Sequence, residues 1–145
     1  MKNIRSIILA AFLLLFTACK LFDLESVPYI ISGDFVMEEN SSDYEICGVD
    51  FFLINKTEKE IKKIKLVFFL FDQDGEPAYE CQSRISLDID ISVMGKEKKS
   101  FCLCLDNFLN SIPENYLFVD YLYLAEIEYE DGSVWEDPFG LIAFM

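Results

Sequence analysis

Residues 85–93 read ISLDIDISV, and this stretch decides the fold class of the chain. Apolar and polar side chains alternate strictly along it. One set is Ile85, Leu87, Ile89, Ile91 and Val93, and the other is Ser86, Asp88, Asp90 and Ser92. Successive side chains of a β-strand point to opposite faces of the sheet. The alternation therefore predicts a strand with one face in the core and one face in water.

Segments of similar character lie on both sides of this stretch. β-Branched and aromatic residues, separated by turn residues, predict further strands at 27–37, 44–55, 61–72, 100–105, 116–130 and 134–137. The unbroken apolar run 66–71 predicts a strand at the centre of a sheet. Asp131-Gly132 suits a two-residue hairpin turn, and 106–115 predicts a connection with a helical turn near Phe108 and Leu109.

These strands predict an all-β fold for residues 27–145. Strands at this spacing, with almost no sustained helical period, favour a single antiparallel β-sandwich of about seven strands. A small closed barrel is the alternative. The chain has 145 residues, a length that suits one domain of this kind after a short N-terminal segment.

The N-terminus has the layout of a secretory signal peptide. Lys2 and Arg5 give a positive start, and the run from Ser6 to Phe16 is apolar after its serine. That run is shorter than the roughly 20 residues that a membrane-spanning helix needs. The sequence therefore predicts export from the cytoplasm.

The end of this apolar run, Phe16-Thr17-Ala18-Cys19, resembles the lipobox of bacterial lipoproteins. Phe16 stands where leucine is usual, as in the relaxed lipoboxes of spirochaetes. The resemblance implies a signal peptide at 1–18, acylation of Cys19 and a lipidated tether at 19–26. The expected location is the bacterial cell envelope, outside the cytoplasm, where more than one acyl chain on Cys19 holds the protein stably in the lipid bilayer.

Residues 49–77, VDFFLINKTEKEIKKIKLVFFLFDQDGEP, resemble the FxLYD type of immunoglobulin-like module that is found on bacterial lipoproteins. FFLFD at 68–72 matches the signature, with Phe71 in place of the tyrosine. Asn55 and the pair at 74–75 stand where the pattern has polar turns. The resemblance implies an immunoglobulin-like sandwich that binds or presents something outside the cytoplasm, and it supplies no catalytic residues.

Charge narrows the choice of partners. The formal net charge is −14, and loss of Lys2 and Arg5 with the signal peptide makes it −16. Nucleic acid is not expected as a partner, because phosphate binding needs a basic surface. Anionic lipid headgroups should repel the domain, so we expect a monomer that hangs from its lipid anchor.

Catalysis is not expected either. The chain contains no histidine, which removes Ser-His-Asp and Cys-His sites. The pairs Asp88/Asp90 and Glu126/Glu128 resemble the paired carboxylates of glycosidases only in residue type, since alternate acidic residues on a strand usually form its solvated face. We expect no cofactor and no catalytic residue, and a glycosidase stays open as a minor alternative.

Two further groups of residues have side chains that could form a binding site or a covalent link. Asp72, Asp74 and Glu76 surround Gly75 and suggest calcium, although the spacing is not that of an EF-hand, and a plain turn capped by Asp72 is the simpler expectation. We therefore predict no metal site, with calcium there left open.

The second group is the cysteines. An even number of them remains in an exported chain after lipidation: Cys47, Cys81, Cys102 and Cys104. Disulfides are possible among these four. Cys102 and Cys104 share one face of a strand and should not pair with each other, so each would need Cys47 or Cys81. Buried thiols are the alternative, and a four-cysteine zinc site has only one CxC spacing in its favour.

Aromatic residues crowd the C-terminal part of the chain: Tyr116, Tyr121, Tyr123, Tyr129 and Trp135. Core and cross-strand packing is the expected role, with a binding surface as the alternative. The sequence as a whole predicts a membrane-anchored lipoprotein that acts as a non-enzymatic binding or structural module for an unknown protein partner. The alternative is an inhibitor of an envelope hydrolase with a basic surface.

Overall fold

The computed structural model describes residues 27–39, 45–78, 81–111 and 113–144. Its strands are β1 (Tyr29–Glu39), β2 (Glu45–Asn55), β3 (Ile61–Phe71), β4 (Arg84–Val93), β5 (Lys98–Cys104), β6 (Phe118–Tyr129) and β7 (Val134–Glu136). A 3-10 helix, Asp106–Phe108, follows β5. The predicted signal peptide, Cys19 and the tether lie outside the described residues.

The strands form two antiparallel sheets. One has the order β1-β2-β5, and the other has the order β4-β3-β6-β7. The chain crosses between the sheets after β2, after β4 and after β5, which is the Greek-key route of an immunoglobulin-like sandwich. The predicted all-β sandwich is therefore confirmed, and two separate sheets replace the closed barrel that was its alternative.

The core lies between the inward faces of the two sheets. Phe51 of β2 meets Phe68 of β3 edge to face, with ring centroids 5.4 Å apart, and stacks on Phe101 of β5 at 5.3 Å. Phe51 and Phe68 are fully buried. These rings join both sheets through one aromatic contact, and aromatic pairs of this geometry stabilise a core beyond the area that they bury.

The strands that the sequence predicted most firmly have the expected positions. β4 alternates as ISLDIDISV requires, with Ile85 and Val93 fully buried and Asp88 exposed. β3 lies between β4 and β6, and residues 66–68 are buried without interruption. A strand covered on both faces in its middle reads as a continuous apolar run, as predicted.

The two ends of the sandwich differ in what they carry. At one end lie Val27 and the β2–β3 loop, because Lys56 donates hydrogen bonds to the backbone oxygens of Val27 and Pro28. We call this the Val27 end. β3 begins there at Ile61 and runs to Phe71, which pairs with Phe118 at the start of β6. We call that the Phe71 end.

Within the described parts of the chain, no helix has the length and apolar character needed to cross a membrane.

Candidate functional site

An irregularity in β6 brings the site together. Phe69 pairs with Asp120, and Val67 pairs with Tyr123, so that Phe68 alone faces two residues, Tyr121 and Leu122. The extra residue is a β-bulge. Tyr121 has a φ of 47°, in the left-handed region that aromatic side chains seldom adopt. The backbone N–H of Tyr121 donates to the Asp120 carboxylate at 2.7 Å.

The bulge turns the ring of Tyr121 outward onto other aromatic rings. Tyr121 contacts Phe69, Phe71 and Phe144, with centroid separations of 5.7, 6.2 and 5.9 Å. Phe69 and Phe71 lie nearly parallel to each other, 6.4 Å apart. With Phe118, which pairs with Phe71, these five residues form what we call the aromatic surface.

The aromatic surface is open to solvent. Tyr121, Phe118 and Phe144 expose 54%, 58% and 55% of their area. Single exposed apolar residues are ordinary on a protein, but contiguous exposed apolar patches mark surfaces that bind something. Backbone strain that is held in place beside such a patch points the same way.

A groove runs along the aromatic surface at the Phe71 end. It has a volume of about 330 Å³, and its lining includes Phe71, Phe118, Tyr121, Asp72 and Asp120. Three rings form the apolar part of the groove, and two carboxylates lie beside them. We call it the Phe71 groove. Its size is that of a site for one side chain or a small ligand.

The C-terminal segment supports one side of the aromatic surface. The buried Asp137 carboxylate accepts hydrogen bonds from the backbone N–H groups of Ile142 and Ala143, at 3.0 and 3.1 Å. This closes residues 137–143 into a turn and places Phe144 against Tyr121 and Tyr123. The capping role of Asp137 was not predicted from the sequence.

A second cavity lies at the Val27 end and has a volume of about 530 Å³. Lys59, on its wall, lies 2.8 Å from the Asp131 carboxylate, donates to the Ser133 hydroxyl at 2.7 Å and sits 5.5 Å from the Tyr129 ring centroid. Lys59 and Ser133, donating to the carboxylate, hold the pKa of Asp131 well below its usual range. Because these polar groups already bind one another, the Phe71 groove is the better candidate for a ligand.

The carboxylates that suggested a glycosidase lie opposite lysines. Lys65 of β3 pairs with Asp88 on one side and with Glu126 on the other. Lys63 pairs likewise with Asp90 and Glu128. Opposite charges on neighbouring strands stabilise a sheet. This ladder accounts for the carboxylates as cross-strand partners of lysines, and the expected lack of catalysis stays a prediction.

Asp72 caps the turn that follows β3. One of its carboxylate oxygens accepts hydrogen bonds from the backbone N–H groups of Asp74 and Glu76, each at 2.9 Å. Gly75 has a φ of 79°, which glycine adopts without strain. The turn predicted here is confirmed. The described residues contain no group of three or more Cys, Asp or Glu side chains arranged to hold a metal ion.

The four described cysteines fall into two groups by burial. Cys47 and Cys81 are buried, whereas Cys102 and Cys104 are exposed on β5. The last two share one side of their strand, as predicted. Disulfides among the four cysteines stay a prediction.

The aromatic residues of the C-terminal part divide between core and surface. Tyr123 and Tyr129 are buried, and Trp135 packs edge to face on Tyr29 at 5.7 Å. Tyr116 and Tyr121 are exposed. The prediction of core and cross-strand packing is therefore confirmed for Tyr123, Tyr129 and Trp135, whereas Tyr116 and Tyr121 lie at the surface. Sequence reasoning missed four surface residues: Phe69, Phe71, Phe118 and Phe144. In the run 68–71 both the odd-numbered and the even-numbered residues are apolar. Because successive residues of a strand point to opposite faces, one of these two sets had to face away from the core.

Comparisons with known proteins add little. No family model matches the chain, and no curated protein matches it. Among solved structures, the X-ray structure of Northeast Structural Genomics Consortium target SoR45 is similar over 76% of this chain and 79% of its own length, with 10% identity and a TM-score of 0.37. The resemblance to the FxLYD type therefore stays a prediction, and so does the lipobox.

Proposed function

We propose that this chain is a lipid-anchored, non-enzymatic binding module of the bacterial cell envelope, and that the aromatic surface is the part that contacts its partner. The observation that supports this most directly is Tyr121. It is held in a strained backbone conformation, half of its area faces solvent, and its ring lies against three other rings. A protein without a ligand for this surface would gain stability by replacing such a residue.

The geometry of the sandwich suits an anchored module. If Cys19 carries the lipid, the eight residues from there to Val27 span at most about 27 Å. The Val27 end would then lie within that distance of the bilayer. β3, whose 11 residues run from that end to the Phe71 end, is about 35 Å long at the usual rise per residue. The Phe71 groove is thus presented far from the bilayer, where a partner in the envelope can reach it.

An inhibitor of an envelope hydrolase is the second candidate. The position of two carboxylates beside the rings of the Phe71 groove favours it, because such a surface complements a basic protein. A glycosidase is not favoured, since each carboxylate of the two suspected pairs faces a lysine.

Two experiments test this proposal. Cys19→Ala should release the protein from membranes or leave its signal peptide attached, because acylation of Cys19 is the proposed anchor. Normal processing together with continued partition into membranes would contradict it. For the surface, a photo-crosslinking amino acid in place of Tyr121 should capture an envelope protein in living cells. The same amino acid in place of the exposed Asp34 on β1 is the matched control. Equal capture at both positions, or none at Tyr121, would refute the binding role.

A further inference from the structure

The two ends of the sandwich differ in net charge. Of the basic residues described by the structure, six lie at the Val27 end: Lys56, Lys59, Lys62, Lys96, Lys98 and Lys99. Five carboxylates lie there with them and nearly balance their charge: Glu58, Glu60, Glu97, Glu130 and Asp131. The Phe71 end has a different set. Six carboxylates lie in or beside its loops and strand ends: Asp72, Asp74, Glu76, Asp106, Glu114 and Asp120. Arg84, at the start of β4, is the basic residue there. The aromatic surface therefore lies in the acidic half of the molecule.

The aromatic surface already holds one cation. The guanidinium of Arg84 lies over the ring of Phe69, 6.0 Å from its centroid. Rings attract cations through the negative charge on their faces, and a nearby carboxylate adds to this attraction. The Phe71 groove offers both elements, with the rings of Phe71, Phe118 and Tyr121 beside Asp72 and Asp120.

We propose that the Phe71 groove binds a lysine or arginine side chain, presented by a segment of a partner protein that also carries apolar side chains. The stem of the basic side chain lies on the rings, and its charged group pairs with Asp120 and Asp72. The apolar neighbours of that side chain cover Tyr121 and Phe144. This inference rests on the proposed function and names the chemistry of the partner.

Other occupants fit the surface less well. A second copy of this chain carries most of its lysines at the Val27 end, and two copies anchored in one membrane both have that end at the bilayer. Most lysines of one copy therefore lie at the opposite end from the Phe71 groove of another, and its Arg84 already lies over its own Phe69 ring. A neutral glycan would stack on the rings and donate hydroxyl hydrogen bonds to the carboxylates, but it has no positive charge to pair with theirs. Basic protein segments use both, and long-range attraction speeds their association.

Calorimetric titration of the full chain in neutral detergent tests the proposal. The probe is a short synthetic peptide in which lysine alternates with leucine. The comparison probes are the same peptide with glutamate in place of lysine and a tetramer of N-acetylglucosamine. We expect the lysine peptide alone to bind, with an affinity that falls as salt shortens the Debye length from about 10 Å to about 3 Å.

Variants locate the binding. Asp120→Asn keeps the oxygen that accepts from the Tyr121 N–H, so the bulge is preserved while the charge is lost. Asp120→Asn should lower the affinity for the lysine peptide by about tenfold. Tyr121→Ala should lower it by as much, as expected for a groove residue that carries much of the binding energy. Asp34→Asn removes the same charge from the exposed face of the other sheet and should have less than about a twofold effect, because a distant charge is screened.

Each result has a distinct meaning. Equal weakening by Asp34→Asn and Asp120→Asn would show attraction to overall charge and would overturn the inference. Binding of the glutamate peptide or the sugar tetramer to the same residues would also overturn it. If crosslinking at Tyr121 captures a partner in cells but the lysine peptide does not bind, the binding function stands and this choice of partner chemistry is wrong.

Discussion

Asn55 is uncharged and fully buried, and it joins two loops at the Val27 end. Its amide nitrogen donates to the backbone oxygens of Lys59, Val93 and Met94, at 2.7, 3.1 and 3.0 Å. Its side-chain oxygen accepts from the backbone N–H and the hydroxyl of Thr57, at 3.0 and 2.8 Å. A buried polar group that is satisfied at every position fixes the conformation of its surroundings.

Asn55→Ala should therefore be among the costly substitutions in this chain. It leaves the carbonyls of the two loops without their donor, and we expect it to lower the free energy of unfolding by about 3 kcal/mol. Urea titration measures this. Asn107→Ala, at an exposed position of the 3-10 helix, is the matched control and should change it by less than about 0.5 kcal/mol. Equal midpoints for the two variants would show that the network of Asn55 does not contribute to stability.

Tyr29 makes a different buried contact. Its hydroxyl oxygen accepts a hydrogen bond from the backbone N–H of Leu124 at 2.9 Å. Burial raises the pKa of Tyr29 to about 12, against the opposing effect of that hydrogen bond. The unfolded phenol has a pKa of about 10. The unfolded chain therefore loses this proton first, and Tyr29 makes the protein less stable as pH rises from about 10 to about 12.

Tyr29→Phe should make this alkaline loss of stability shallower. A smaller loss should remain, because burial also raises the pKa of Tyr129. At pH 7 the variant should lose about 1 to 2 kcal/mol of unfolding free energy, since the Leu124 N–H no longer has its acceptor. Urea midpoints measured from pH 7 to 11 check both effects. An unchanged slope above pH 10 would show that Tyr29 titrates normally.

Residue roles of this kind were only partly predictable. The family resemblance marked Asn55 as a polar turn residue but did not reveal its burial, because its partners are backbone oxygens up to 39 positions away. Tyr121 was predicted to lie within the strand 116–130. Its outward position depends on a bulge, and a bulge exists only in the register between β3 and β6.

β3 shows what a central strand contributes. It pairs with β4 on one side and β6 on the other, and its Phe68 is fully buried against Phe51. Phe68→Ala should leave a cavity between the sheets and lower the free energy of unfolding by about 3 to 5 kcal/mol. Phe52→Ala, on the outward face of β2 with 38% of its area exposed, removes the same atoms and should cost about 1 kcal/mol. A Phe68→Ala urea midpoint equal to that of the parent would show that β3 is not core.

The turn after β3 gives the opposite expectation. Asp72→Ala removes an acceptor for two backbone N–H groups that are exposed to water. We expect a cost of only about 1 kcal/mol. Calcium should leave the parent's urea midpoint unchanged, because the described residues contain no group of three or more Cys, Asp or Glu side chains arranged to hold an ion. A midpoint that rises with calcium in the parent but not in Asp72→Ala would establish a metal site here.

Elements were more predictable than residues for a physical reason. Strand character follows from local alternation, so β4 and the central position of β3 could be read from 85–93 and 66–71. The predicted strand 116–130 corresponds to β6 at Phe118–Tyr129. Its irregular pairing with β3 was not predictable, because register depends on contacts between segments that lie far apart in the sequence. The aromatic surface follows from that register and from the C-terminal turn.

The two ends of the whole molecule differ in net charge, and composition alone does not reveal this difference. The net charge was available from the sequence, and it led to the expectation that anionic lipids repel the domain and leave it hanging from its anchor. In the folded domain the six lysines of the Val27 end are nearly balanced by five carboxylates, whereas six carboxylates at the Phe71 end lie beside one basic residue, Arg84. Repulsion should therefore act mainly on the Phe71 end, and the electrostatic effect should turn the Val27 end toward the bilayer.

Energy transfer from tryptophan tests this orientation. Trp135 is the single tryptophan of the chain, and it lines the same cavity as Pro28 at the Val27 end. Trp135 pairs with Ile127, which in turn pairs with Ile64 of β3, whereas Phe118 pairs with Phe71 of β3. Ile64 and Phe71 are seven residues apart, or about 23 Å along the strand.

In vesicles that carry a dansyl headgroup, the native lipidated protein should transfer energy efficiently to the bilayer. The double variant Trp135→Phe, Phe118→Trp moves the donor to the Phe71 end and should transfer much less. Equal transfer from both positions would mean that the sandwich lies flat on the membrane, and its Phe71 groove would then not be presented to partners in the envelope.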